Sequence, residues 1–160
     1  GRKILYAGDF GSASVLKVIT NYLATVHLVA LGEAWTIARK SKLDLNKTFK
    51  GIAASSGNSF VHETESQVIL NGSYNINFTM DLVEKDIGLF QDLASKLGVD
   101  LEISPIVLSI IKDAKNTFGD RAWSSMVVKR LENKYNTDFR ADGYPEELVD
   151  LEEKSLGYEI

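Results

Sequence analysis

The chain has 160 residues, 44% apolar and 25% charged, which is enough for one domain with a sizeable hydrophobic core. It contains no cysteine, and this excludes disulfide bridges, thiolate metal sites and a cysteine nucleophile. Residues 137–160 form an acidic extension with eight acids against two bases, so residues 1–136 hold sixteen bases against fourteen acids, too small a surplus for a nucleic-acid-binding face.

The N-terminal segment has the strand, glycine turn and helix of a nucleotide-binding loop but not its glycine spacing. Residues 4–7 are apolar and predict a short strand, and Gly8 and Gly11 permit a turn before a helix. A dinucleotide loop needs glycine at its first, third and sixth places, because backbone must approach the phosphates closely. Those places hold Gly8, Phe10 and Ala13 here, so no phosphate site is predicted.

A long helix is predicted over residues 14–40, which contain no proline and one glycine, Gly32. Its apolar side chains fall nearly all round the helical wheel, so we expect a buried central helix about 40 Å long. Polar residues interrupt the apolar run and no charged leader precedes it. We therefore predict neither a membrane span nor a signal peptide, but a cytoplasmic protein.

Further helices follow, each bounded by capping or turn residues. They are predicted over residues 45–54 after Asp44, 60–70 after Ser59, 80–97 after Thr79, 105–117 after Ser104 with Pro105 at the first helical position, 124–135, and 145–154, which is acidic. Only residues 4–7 are a strand candidate. The predicted fold is all-α, with several helices packed round the long one.

Lys17 and Asn21 stand out because they lie one turn apart on the long helix, within an apolar run. Lys17 either extends its ammonium to the surface, or lines a dry cavity, where its pKa would fall and the amine could exchange a proton. In the second case Asn21 would orient an oxygen-bearing substrate without adding charge.

Other motifs are weaker. The charges within residues 78–86 are typical of the wet face of an amphipathic helix. His27 and His62 lie far apart in sequence and have no neighbouring ligand pair, so no metal site is predicted.

Several segments together resemble the helical C-terminal domain of the β-hydroxyacid dehydrogenases, the 3-hydroxyisobutyrate dehydrogenase family related to 6-phosphogluconate dehydrogenase. The matching segments are residues 8–21, 32–34, 55–60 and 85–89, together with Phe78. Their order and spacing agree across about residues 3–133. The resemblance implies a two-domain oxidoreductase that moves hydride between NAD or NADP and a small 3-hydroxy acid.

The same resemblance implies roles for six residues. Lys17 matches the catalytic lysine, and Asn21 matches the asparagine that orients the substrate. Lys85 and Phe78 match residues that contact the cofactor. Ser56 and Gly57 are expected to border the substrate.

The implied domain organisation is an interdomain connection over residues 1–13, a helical substrate and dimerisation domain over 14–136, and the acidic extension. The implied partners are an N-terminal Rossmann domain, which would bind most of the cofactor, and further copies in a homodimer or homotetramer. The isolated helical half would be inactive. The alternative is a helical oligomerisation or protein-interaction module without catalysis, in which Lys17 only reaches solvent.

Overall fold

The computed structural model describes residues 3–149 and 157–160 and confirms the all-α prediction for them. Six helices are present: α1 (Ser12–Lys40), α2 (Leu45–Ala53), α3 (Phe60–Asn71), α4 (Met80–Leu97), α5 (Ser104–Phe118) and α6 (Met126–Tyr135). Two short strands, β1 (Lys3–Ile4) and β2 (Tyr158–Glu159), pair in parallel.

Local capping explains most helix boundaries. The Asp44 side chain accepts the backbone N–H of Lys47 at the start of α2, and Ser59 accepts that of His62 at the start of α3. Gly72 ends α3 and Gly98 ends α4, both in the left-handed conformation that suits glycine.

Three sequence expectations are corrected. The helix start after residue 103 lies at Ser104 itself, with Pro105 in the first turn, so Ser104 is not the cap. Of the strand predicted over residues 4–7 only Ile4 lies in β1, which begins at Lys3, and its partner β2 was not predicted. The helix predicted over 145–154 is wrong for residues 145–149, which are irregular, and its remainder lies outside the described residues.

The core surrounds the C-terminal part of α1, which contacts α3, α4, α5 and α6. Trp35 is fully buried at its centre, and its indole N–H donates to the Ser66 hydroxyl on α3. Gly32 lies against Val128 and Leu131 of α6, where an added Cβ would approach within 3.2 Å. A small residue is therefore needed where α1 and α6 cross.

The prediction that all of α1 is buried is wrong for its N-terminal part. Every buried residue of α1 lies at Thr25 or beyond. Val15, Leu16, Ile19 and Leu23 are exposed, because they lie on one face of the helix that no other described element covers. By length and composition α1 could also cross a membrane, but core helices meet the same criterion, and this one packs on five other helices.

A buried polar cluster attaches the segment after α6 to the rest of the helices. We call it the Glu132 cluster; it consists of Tyr74, Glu132 and Arg140, with the backbone N–H of Phe139. Glu132 Oε1 accepts Phe139 N at 2.8 Å and Arg140 Nη1 at 3.0 Å, and its Oε2 accepts the Tyr74 hydroxyl. Burial and the hydrogen bond to Glu132 raise the pKa of Tyr74, so its hydroxyl remains a neutral donor. The Phe139 side chain is fully buried.

Candidate functional site

A cleft of about 200 Å³ opens between α1, α3 and α4. Its lining residues are Asn21, Ala24, Thr25 and Leu28 of α1, Glu65 of α3, Val83 and Asp86 of α4, and Phe78 and Ser124 from loops. The α1 residues recur at helical spacing, so they form one face. The cleft thus combines apolar walls with a small set of polar groups, as ligand sites usually do.

A buried carboxylate joins α4 to α1 beside this cleft. Asp86 Oδ2 accepts Lys17 Nζ at 2.9 Å and Asn21 Nδ2 at 2.6 Å. Lys85 Nζ lies 3.6 Å from the other oxygen, Oδ1. We call Lys17, Asn21, Lys85 and Asp86 the Asp86 cluster.

Helical periodicity places each member of the cluster. Lys17 and Asn21 are one turn apart, so both reach the same acceptor. Asp86 follows Val83 by three positions on the buried face of α4, and its side chain is only 3% exposed. Tyr22 stacks on Phe90 at a ring separation of 3.9 Å and holds the two helices together beside the cluster.

Electrostatics favour an ionised Asp86. Burial alone would raise its pKa, but hydrogen bonds from Lys17 and Asn21 and the charges of Lys17 and Lys85 outweigh it, so the pKa lies below its ordinary value. The expectation of a dry pocket round Lys17 is wrong for the described chain. The Lys17 side chain is 54% exposed, although the ion pair with Asp86 fixes its ammonium.

The structure brings together four of the six residues singled out in the sequence. Lys17, Asn21 and Lys85 meet at Asp86, and Phe78 lines the same cleft as Asn21 and Asp86.

The other two, Ser56 and Gly57, are exposed in the turn between α2 and α3. They line a second cleft of about 410 Å³, against His27 and Ala34 of α1. None of its lining residues is shared with the first cleft, so within the described chain Ser56 and Gly57 are not part of the Asp86 cluster.

Sequence reasoning assigned no role to the two acidic residues of the cleft, Asp86 and Glu65. Asp86 stood in the charged run 84–86, where only the helical register shows that it shares the buried face with Val83. Glu65 lies between the buried residues His62 and Ser66, and burial raises its pKa to about 8. An acid within a mostly buried helical segment was the available signal for both.

Comparison with known proteins identifies relatives for most of the chain. Residues 11–131 match the family model described as NAD-binding of NADP-dependent 3-hydroxyisobutyrate dehydrogenase. L-threonate dehydrogenase of Escherichia coli K12 is 29% identical over 129 residues, which are 81% of this chain and 43% of that protein. 2-(Hydroxymethyl)glutarate dehydrogenase of Eubacterium barkeri is 28% identical over 130 residues, again 81% and 43%.

A solved structure agrees. The crystal structure of 3-hydroxyisobutyrate dehydrogenase from Salmonella typhimurium superposes with a TM-score of 0.69 at 29% identity, covering 75% of this chain and 42% of that one. The chain spans less than half the length of these relatives. The family predicted from the residues is confirmed, and with it the use of NAD or NADP by its members. The chain belongs to the NAD-binding family of NADP-dependent 3-hydroxyisobutyrate dehydrogenase.

Proposed function

We propose that this chain is the helical substrate-binding and oligomerisation domain of an oxidoreductase that transfers hydride between NAD or NADP and a small 3-hydroxy acid or its semialdehyde. The observation that carries the proposal is the buried carboxylate of Asp86, which holds Lys17 and Asn21 beside a cleft. A group that is fixed in this way is pre-organised for a reaction.

Lys17 is the proton donor and acceptor in this proposal. During reduction its ammonium donates a proton to the carbonyl oxygen of the substrate, and during oxidation the amine accepts the hydroxyl proton. Asp86 is a positioning residue, because it sets the place of Lys17 Nζ at 2.9 Å without contacting the reacting atoms. Asn21, which lines the cleft, keeps its carbonyl oxygen available to orient the substrate.

Two residues suit the dinucleotide cofactor, which supplies or accepts the hydride when it is bound. Lys85 is 59% exposed and only loosely held at 3.6 Å from Asp86, so its ammonium is available to a phosphate. Phe78 presents an aromatic surface to the cleft, where it can pack against a planar ring. The exposed lysine and the aromatic wall therefore fit the group that the family binds.

The uncovered face of α1 is where the proposed partners would pack. It carries Val15, Leu16, Ile19 and Leu23, and Phe10 is fully exposed just before it. An apolar surface of this kind marks an association site. A Rossmann domain and a second copy of the chain are the proposed occupants, and without the Rossmann domain we expect no hydride transfer. Cytoplasmic localisation stays a prediction.

The test uses the full-length dehydrogenase that contains this domain. Lys17→Ala should abolish oxidation of 3-hydroxy acids and leave the circular dichroism spectrum and Tm unchanged. Lys17→Arg should also be inactive, since arginine stays protonated. Lys50→Ala, on an exposed position of α2, is the matched control and should retain turnover.

Ordinary turnover by either Lys17 variant would contradict proton transfer by this residue. Absence of dehydrogenase activity in the wild type, combined with self-association through α1, would favour the alternative of a non-catalytic oligomerisation module.

A further inference from the structure

The proposed reaction gives no role to one of the two acidic residues that line the cleft. Glu65 projects from α3 into the same cleft that Asn21, Phe78 and Asp86 line. Its Oε2 atom is buried and has no hydrogen-bond partner in the described part of the chain. A buried carboxyl oxygen without a partner is costly, and it is expected where a ligand completes the hydrogen bonding.

The cations near the cleft do not satisfy Glu65. Lys17 and Lys85 both pair with Asp86, and the ion pairs of the described residues include none to Glu65. Burial raises the pKa of Glu65 to about 8, so near neutral pH the carboxyl is mostly protonated and becomes charged when a cation approaches. It can therefore accept a hydrogen bond from a neutral group or form an ion pair with an ammonium.

The two acids of the cleft thus have different surroundings. Asp86, on α4, pairs with Lys17 and Lys85. Glu65, on α3, faces the cleft with Oε2, which has no hydrogen-bond partner among the described residues. Asn21, which shares the acceptor Asp86 with Lys17, lines the same cleft as Glu65. A substrate that Asn21 orients toward Lys17 can therefore present the substituent next to its reacting carbon to Glu65. An alkyl group placed against Glu65 would leave Oε2 unpaired and desolvated.

We propose that Glu65 determines substrate choice by accepting a hydrogen bond from a donor substituent next to the reacting carbon, so that the enzyme takes hydroxy acids bearing an amino or second hydroxyl group over those bearing an alkyl branch. This inference rests on the proposed function, because it assumes that the cleft holds the substrate.

The test compares three acids that differ only at the carbon next to the carboxylate. They are 3-hydroxy-2-methylpropanoate, 2-amino-3-hydroxypropanoate and 2,3-dihydroxypropanoate. For the full-length wild type, kcat/KM for the better donor-bearing acid should exceed that for the methyl acid by about 10- to 100-fold. Glu65→Leu should reverse this order, because an apolar side chain favours the methyl group.

Glu65→Gln keeps the size of the side chain and identifies the donor. If an ammonium is the natural partner, this variant should lose preference for the amino acid substrate. If a hydroxyl is the partner, the amide oxygen still accepts its hydrogen bond and the preference for 2,3-dihydroxypropanoate should remain. Glu63→Gln, at an exposed position on the same helix, is the matched control and should leave all three ratios unchanged.

A wild-type preference for the methyl acid, or equal substrate ratios in wild type and Glu65→Leu, would overturn the inference. A binding measurement separates this failure from failure of the proposed function. The carboxyl carbon of Glu65 is followed by NMR in the full-length dehydrogenase while each acid is added. Larger shifts with the donor-bearing acids support the role of Glu65 even if no turnover is found, and equal or absent shifts contradict it.

Discussion

Two buried carboxylates organise this domain, and they differ in how completely they are satisfied. In the Glu132 cluster both oxygens accept hydrogen bonds, from Tyr74, Phe139 and Arg140. In the Asp86 cluster one oxygen accepts two bonds while Oδ1 accepts none. In the Glu132 cluster no carboxylate oxygen lacks a hydrogen-bond partner, and the cluster attaches the segment after α6 to the helices. In the Asp86 cluster Oδ1 can still accept a hydrogen bond from a ligand.

The comparison gives a criterion for telling a structural ionic cluster from one that is proposed to be functional. The side chains of Asp86 and Glu132 are equally buried, at 3% and 4% exposure, so burial alone does not distinguish them. Their partners do. Lys17 and Lys85 are more than half exposed and pair with a carboxylate that lines a cleft, but Arg140 bridges buried groups and a backbone carbonyl of α3.

The largest effect on stability is expected from Arg140→Ala. The change leaves Glu132 buried without its cation, and breaking a buried pair in this way costs about 3 kcal/mol. Urea unfolding at pH 7 measures the loss. Activity of the folded full-length protein should be retained. A cost below about 1 kcal/mol would show that the Glu132 cluster is not a structural anchor.

Asp86→Asn should have the opposite effect, a large loss of activity with little loss of stability. Lys17 loses its charged partner and its fixed position, and misplacement of a catalytic group costs about a hundredfold in kcat. Stability should change by less than about 1 kcal/mol, because the lost partners are largely exposed. Steady-state kinetics and urea unfolding measure the two effects. A large stability loss with unchanged kcat would make Asp86 another structural anchor.

A smaller effect is expected in the pH dependence of stability. The pKa of Glu65 is about 8 in the folded chain against 4.5 ordinarily, so between these values the unfolded state releases a proton that the folded state keeps. This term lowers stability as pH rises from about 5 to 8. The unfolding free energy of Glu65→Gln, measured at pH 5.5 and 7.5, should decline less than that of the wild type.

The pH range in which Glu65 affects stability differs from that of Asp86, which lines the same cleft. Asp86, on α4, has a lowered pKa, so its contribution is present above its ordinary value and is lost only as the pH falls into the acid range. Equal pH profiles for wild type and Glu65→Gln would contradict a neutral buried Glu65.

The smallest effect is expected from Arg39→Ala. Arg39 donates to Asp138 at 2.9 Å, yet the two side chains are 41% and 54% exposed. An exposed pair of this kind contributes at most about 1 kcal/mol. Arg39 contacts the segment after α6 that also contains Arg140, so Arg39→Ala is the matched control for Arg140→Ala. In thermal unfolding, Arg140→Ala should lower the Tm clearly more than Arg39→Ala does.

Local patterns in the sequence were sufficient for most of the helices. Asp44 and Ser59 accept backbone groups three residues away, and Gly72 and Gly98 take conformations that other residues avoid. Such interactions are complete within one turn of chain, so they can be read without knowledge of the fold. The pairing of Lys17 with Asn21 was predictable for the same reason.

Only the tertiary structure decided the rest. Lys17 and Asp86 are 69 residues apart in sequence, and their contact depends on how α1 packs against α4. The same holds for the exposed half of α1, for the separate cleft of Ser56 and Gly57, and for the strand pair that joins residues near the two ends. Capping and turn interactions act within a few residues, whereas burial, ion pairing and clefts arise from elements distant along the chain, and no local pattern specifies which of these elements meet.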